Sequence, residues 1–213
     1  MAEGKGGIDT VVFDLGGVLI DWNPRHLYRK VFAGDEPAME TFLAQVCNAA
    51  WNERQDQGRP WAEAIAEAVA RHPQHEAHIR AYRTRWQEML GGALDGTVRV
   101  LNELAEEGLR LLALTNWSAE TFHFAEERFA FLDRFDGVVV SGREGVMKPD
   151  PAIFHLLIRR YGVDPVRAVF VDDVQKNVDA AVAQGLRGIR FLDSAQLRRD
   201  LRRLGVPVAP DEA

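Results

Sequence analysis

Thr10-Val11-Val12-Phe13-Asp14-Leu15-Gly16-Gly17 is the stretch on which the fold turns. A short β-branched and aromatic run ends in an acid and then in two glycines, the pattern of a buried strand running into a tight turn. Downstream, Val98, Leu101 and Leu104 follow at helical spacing, with Gly108 as C-terminal cap. Leu111 to Leu114 is a second strand, ending in Thr115-Asn116, and Val138-Val139-Val140 a third. Asp150-Pro151 pairs an N-cap with proline at the first helical position, and Ile153, Leu156, Leu157 and Tyr161 give that helix one apolar side. Ala168 to Val171 is a fourth strand, ending in Asp172-Asp173. Val178, Ala181 and Val182 mark a helix stopped by Gly185, and Ile189-Arg190-Phe191 is a fifth strand.

From about residue 95 onward, strand and helix alternate with short connections, which predicts a parallel sheet covered on both faces. The interval 24–94 shows no strand pattern. It is rich in Ala, Glu, Gln, Arg and Trp, Trp61 to Ala70 reads as an amphipathic helix, and the whole reads as a helical insertion after the first strand. A chain of 213 residues with 46% hydrophobic content holds one generous domain with such an insertion.

Net charge is −6 with both signs interspersed, so no basic field draws the chain to nucleic acid or an anionic membrane; a small phosphate site inside an acidic protein stays open. No apolar run reaches membrane-spanning length. Met1 to Gly7 is polar and glycine-rich, unlike a signal peptide, and reads as a loose terminus. Cys47 is the only cysteine, so no intramolecular disulfide forms, and a cytoplasmic setting is expected.

The clear strand ends carry polar groups: Asp14, then Thr115-Asn116, then Asp172-Asp173, with Lys148 between the third strand and the next helix. In an open parallel sheet, ligands bind outside the carboxyl ends of the strands. Any one of these residues alone reads as an ordinary cap or turn; at successive strand ends they point to a single site.

Four segments also carry a resemblance. Phe13-Asp14-Leu15-Gly16-Gly17-Val18-Leu19, Leu114-Thr115-Asn116, Lys148-Pro149-Asp150-Pro151 with Ile153-Phe154, and Phe170-Val171-Asp172-Asp173 with Asn177 and Gly185 resemble the four motifs of the haloacid dehalogenase superfamily. They stand in family order across nearly the whole chain. The resemblance implies an α/β, Rossmann-like core over 1–23 and 95–213 and a small helical cap over 24–94. It implies an Asp14 nucleophile and Mg2+ held by Asp14, Asp172 and the carbonyl of Gly16, with Asp173 acting through water or orienting the ligands. Thr115, Asn116 and Lys148 would hold phosphate, and Trp22 and Trp117, which follow motif residues, would line the pocket. The implied partner is a small phosphorylated metabolite, the implied activity that of a phosphatase.

One position departs from the family pattern. Typical phosphatases of the superfamily have a second aspartate, an acid–base, two residues after the nucleophile; here that residue is Gly16. Its absence argues against a phosphomutase, which needs efficient proton shuttling. Some sugar-phosphate phosphatases that resemble this sequence also have glycine there. Asp21, just beyond the turn, is a candidate substitute acid.

Two other readings stay open. A 2-haloacid dehalogenase also uses the first aspartate and lacks the second, but its first motif usually has tyrosine where Gly16 stands, and its fourth Ser-Ser-Asn rather than Val171-Asp172-Asp173. A non-catalytic phospho-ligand-binding module would explain Gly16, but not the retention of Asp14, Lys148 and Asp172. Elsewhere, His72, His75 and His78 read as a solvated cap surface, and Trp51, Trp61 and Trp86 as cap packing. Gly91-Gly92 reads as a return linker, Cys47 as a buried small hydrophobe, and Arg198 to Arg203 as a solvated amphipathic helix.

Overall fold

The computed structural model describes residues 7–209; the rest of the expected loose terminus, Met1 to Gly6, lies outside them. Strands β1 (Thr10–Phe13), β4 (Arg110–Thr115), β5 (Gly137–Val140), β6 (Ala168–Asp172) and β7 (Arg187–Arg190) form one five-stranded sheet in the order β5-β4-β1-β6-β7. Every neighbouring pair is parallel. The first strand therefore sits in the centre, which is why it can be apolar on both faces: Thr10 through Phe13 are all buried.

The two faces have separate cores. On one, Val11 and Phe13 pack with Leu101 and Leu104 of α6 (Asp95–Glu106) and with Leu197 and Leu201 of α11 (Ser194–Arg203). On the other, Val12 and Phe170 pack with Ile153, Phe154 and Leu157 of α9 (Pro151–Tyr161) and Ala181 of α10 (Gln175–Ala183). Helices α7 (His123–Arg128) and α8 (Ser141–Glu144) fill the connections around β5. The Asp150 side chain caps α9 by accepting from the Ala152 amide, as the Asp-Pro start predicts.

Between β1 and α6 run five helices: α1 (Pro24–Val31), α2 (Glu36–Gln45), α3 (Ala49–Asp56), α4 (Trp61–Arg71) and α5 (Glu76–Thr84). They close on an aromatic cluster in which Trp61 stacks on Tyr82 at 5.5 Å and meets Trp51 edge-on at 5.6 Å. One element in this interval escaped the sequence pattern. Leu90–Ala93 is a strand, β3, antiparallel to β2 (Ile20–Trp22), so the chain leaves and re-enters the sheet region through a two-stranded ribbon. Leu-Gly-Gly-Ala has neither β-branched residues nor alternation; its extended state comes from the partner strand. A side chain at Gly91 would meet the Asp21 carboxylate at 2.2 Å, so the glycine leaves room for the Asp21 and His26 side chains beside the ribbon.

Two expectations about surfaces are corrected. His75 and His78 are half-buried, not solvated, with rings 5.4 Å and 5.8 Å from Phe42, because an imidazole body packs as well as a small aromatic. Arg198 in α11 is 7% exposed rather than solvated, and it makes a two-nitrogen ion pair with Glu103 of α6 at 2.5 and 2.6 Å. No helix among the described residues is long and apolar enough to cross a membrane.

Candidate active site

The sheet topology brings three carboxylates to one point. β1 and β6 are adjacent and in register, Phe13 opposite Val171, so the residues that follow, Asp14 and Asp172, emerge side by side. The Asp14 amide donates to the Val171 carbonyl at 2.8 Å, extending the pairing as far as Asp14. Asp173 completes the group: Asp14, Asp172 and Asp173 each offer an oxygen within 4.8 Å of the others.

Lys148 enters from the loop between α8 and α9. It is fully buried, with Nζ 2.7 Å from Asp172 Oδ2 and 3.0 Å from Asp14 Oδ1. Burial works against the ammonium, but the Asp14 and Asp172 carboxylates outweigh it and hold Lys148 above its ordinary range. Asn116, at the end of β4, fixes this loop through the Lys148 backbone. Asp172 is held further by the Val174 amide at 2.8 Å and by Asn177 Nδ2 at 3.1 Å.

One ammonium does not balance three carboxylates. Burial, helped by Asp172 and Asp173, pushes the Asp14 carboxyl up to about 7 against the pull of Lys148. Burial and then Asp172 also raise Asp173. A charge-deficient, all-oxygen donor set on fixed strand ends suits a hard divalent cation such as Mg2+. Gly17 keeps the space open: its φ is +75°, and a Cβ there would stand 2.6 Å from Asp173 Oδ2.

The carboxylates open into a cavity of about 350 Å³. Asp14, Gly16, Thr115, Asn116 and Asp173 line it, with Trp22 and Trp117, so these predicted residues do share one site. Lys148 and Asp172 lie behind the wall, touching the cavity through Asp14. The Asn116 carboxamide is spent on Lys148, which leaves its backbone for a ligand. Trp86, read as cap packing, also forms the wall, its ring 5.3 Å from Trp117. Asp21 does not line this cavity; it bonds His26 Nε2 at 2.9 Å on the ribbon. Asn52, Asp56 and Asn177 line it too. The sequence reading missed Asn52 and Asp56, which lie in a helical stretch with no motif to mark them.

Comparison with known proteins agrees with this geometry. Residues 8–185 match the family described as haloacid dehalogenase-like hydrolase. The chain is 28% identical over 201 residues to the sesquiterpene phosphatase astK of Aspergillus oryzae, covering 92% of this chain and 95% of that protein. A HAD family enzyme from Bacteroides thetaiotaomicron, solved with magnesium and inorganic phosphate, superposes with a TM-score of 0.67 at 23% identity, covering 88% of this chain and 96% of that one. The L-2-haloacid dehalogenase of Xanthobacter autotrophicus superposes at 0.61 with 22% identity, covering 92% and 83%. At such identities the structural likeness establishes the shared fold. With the matched family spanning most of the chain and its motif residues gathered at one cavity, this protein belongs to the haloacid dehalogenase-like hydrolases.

Proposed function

We propose that the protein is a magnesium-dependent phosphatase that hydrolyses a small phosphomonoester, a sugar phosphate or similar metabolite, through an aspartyl phosphate on Asp14. The observation that carries this reading is the three-carboxylate cluster, with one buried lysine, opening on a cavity. A metal-free haloacid site would leave that negative charge facing an anionic substrate. The relatedness to a phosphatase along nearly the full length of both proteins supports the same choice.

Asp14 and Asp172 would hold Mg2+, with the Gly16 carbonyl and Asp173 in support; when bound, the ion supplies positive charge against the phosphoryl oxygens. An Asp14 oxygen attacks phosphorus and the ester oxygen leaves with its bonding electrons; water then cleaves the acyl phosphate, so two easier steps replace a hard one. Lys148 favours the ionised form of Asp14 against the effect of burial and orients it, and bound magnesium would add to that pull. The Thr115 hydroxyl and the Asn116 amide donate to phosphoryl oxygens, and Trp22 and Trp117 bound the leaving group. In this reading 1–23 and 95–213 form the catalytic core and 24–94 the cap that covers it. The reading involves no nucleic-acid or membrane partner, and the lack of any possible intramolecular disulfide fits the cytoplasm.

The test is phosphate release from sugar phosphates, nucleotides and p-nitrophenyl phosphate, with magnesium or chelator, beside Asp14→Asn. Halide release from 2-chloropropionate is measured in parallel. Magnesium-dependent phosphate release that disappears in Asp14→Asn supports the phosphatase. Chelator-resistant halide release without phosphate release overturns it in favour of a dehalogenase, and phosphate binding without turnover overturns it in favour of a binding module.

A further inference from the structure

Phosphate-ester cleavage needs a proton for the departing oxygen and later a group to take one from water. Position 16, a glycine, supplies neither. Three carboxyl groups line the cavity: Asp14, Asp173 and Asp56. Asp14 is the nucleophile and Asp173 belongs to the cation cluster. Asp56 alone stands outside that cluster and comes from the helical interval that covers it.

Asp56 is held as a positioned group. It ends α3, and its Oδ2 accepts from Asn52 Nδ2 at 2.8 Å. Asn52 Oδ1 in turn accepts from the buried Tyr82 hydroxyl at 3.2 Å. The Asp56 carbonyl accepts from the Ser141 hydroxyl, whose oxygen accepts from the Trp117 amide at 2.9 Å, so the end of α3 is pinned to the loop after β4. The facing charged and titratable groups are Glu53 on the same helix, Asp14 across the cavity and Tyr82 from α5; Glu53 is paired with Lys176 at 3.7 Å. Burial, opposed by a backbone hydrogen bond from Ser118 and aided by Glu53 and Asp14, lifts the Asp56 carboxyl well above the ordinary carboxylate range. A carboxyl so placed carries its proton to higher pH, as an acid catalyst must.

We propose that Asp56 is the acid–base residue of this enzyme, doing from the cap side of the cavity what the missing aspartate at position 16 cannot. This rests on the phosphatase reading above. As Asp14 bonds to phosphorus, the phosphorus–ester oxygen bond breaks, its electron pair goes to the leaving oxygen, and that oxygen takes the Asp56 proton. In the second step water gives a proton to the Asp56 carboxylate as its oxygen bonds to phosphorus. The Asp14–phosphorus bond breaks with its electrons returning to Asp14, and Asp56 is again protonated.

Leaving-group dependence separates this role from a structural one. p-Nitrophenolate departs without protonation, whereas an alkyl oxygen does not. In single-turnover assays with magnesium, Asp56→Asn is expected to release p-nitrophenol at close to the wild-type rate. The same variant should cleave the best alkyl phosphomonoester of the panel about 10²–10⁴-fold more slowly. With excess p-nitrophenyl phosphate it should give a burst of one equivalent and then slow turnover, since hydrolysis of the aspartyl phosphate lacks its base. Equal losses on both esters, or no loss on either, overturn the proposal while leaving the phosphatase reading standing. A wild-type enzyme that cleaves no phosphomonoester overturns both. Should Asp56→Asn fail to fold, Asp56→Ser is read by the same ratio.

Discussion

The Asn116 carboxamide grips the Lys148 peptide from both sides: its Oδ1 accepts from the Lys148 amide and its Nδ2 donates to the Lys148 carbonyl, each at 2.9 Å. Residues 32 apart in sequence are joined this way, and the end of β4 thereby sets where the buried Lys148 ammonium sits.

Asn116→Ala removes both bonds without touching the ammonium. The expected result is a kcat about tenfold or more below wild type, because small misplacements of a catalytic group are costly. KM for p-nitrophenyl phosphate should change much less. Asn116→Asp, which keeps the acceptor, should recover part of kcat; steady-state kinetics on the three proteins check this.

Lys148→Met keeps the volume and deletes the charge. Two buried carboxylates lose their shared partner, and breaking a buried pair from one side costs about 3–5 kcal/mol. The metal-free variant should melt at least several degrees below wild type, and added magnesium should restore part of the loss by bringing charge to the same oxygens. Activity should fall by about 10²-fold or more. A metal-free melting temperature equal to wild type would contradict the role given to Lys148.

Asp14→Asn is expected to go the other way in stability. The folded state raises the Asp14 carboxyl from 3.8 to about 7, so its ionised form weakens folding increasingly above pH 3.8 and fully above pH 7. A neutral amide escapes that penalty. Thermal unfolding of metal-free protein at pH 8 should show the Asp14→Asn variant at or above wild type.

Gly17→Ala combines a left-handed φ of +75° with a Cβ 2.6 Å from Asp173 Oδ2. Strain of about 1 kcal/mol is the least expected. Asp173 must also swing away, so magnesium should raise the variant's melting temperature less than that of wild type. A magnesium titration followed by thermal unfolding reads both effects.

Far from the site, Arg198 and Ala209 tie α11 and the chain beyond it to Glu103 of α6. The Arg198 hydrogen bonds hold the Glu103 carboxyl below its ordinary value of 4.5. A depressed folded value stabilises above pH 4.5, and that contribution is lost as pH falls through the folded value. Glu103→Gln should therefore melt below wild type at pH 7, the difference shrinking as acid is added below pH 4.5. A gap that stays constant across that range would show the effect to be packing rather than charge.

What the sequence determined by itself was the periodic part: five strands, the helices between them, and the polar residues at the ends of three of those strands. Those signals are local, since alternation, caps and glycine stops act within a few residues of one another. The family motifs lie on the same segments, which is why Asp14, Thr115, Lys148, Asp172 and Asp173 could be named before any contact was known. Tertiary structure decided the rest. β3 is extended only because β2 pairs with it. Asp21 turns to His26, Trp86 joins the cavity wall, and Arg198 is buried against Glu103. Asp56 faces Asp14 because Asn52, Ser141 and the packing of five helices bring it there. Each of these outcomes depends on a partner far away in sequence, and whether a given side chain becomes a surface charge, a packed ring or an acid in a cavity depends on the environment that partner provides.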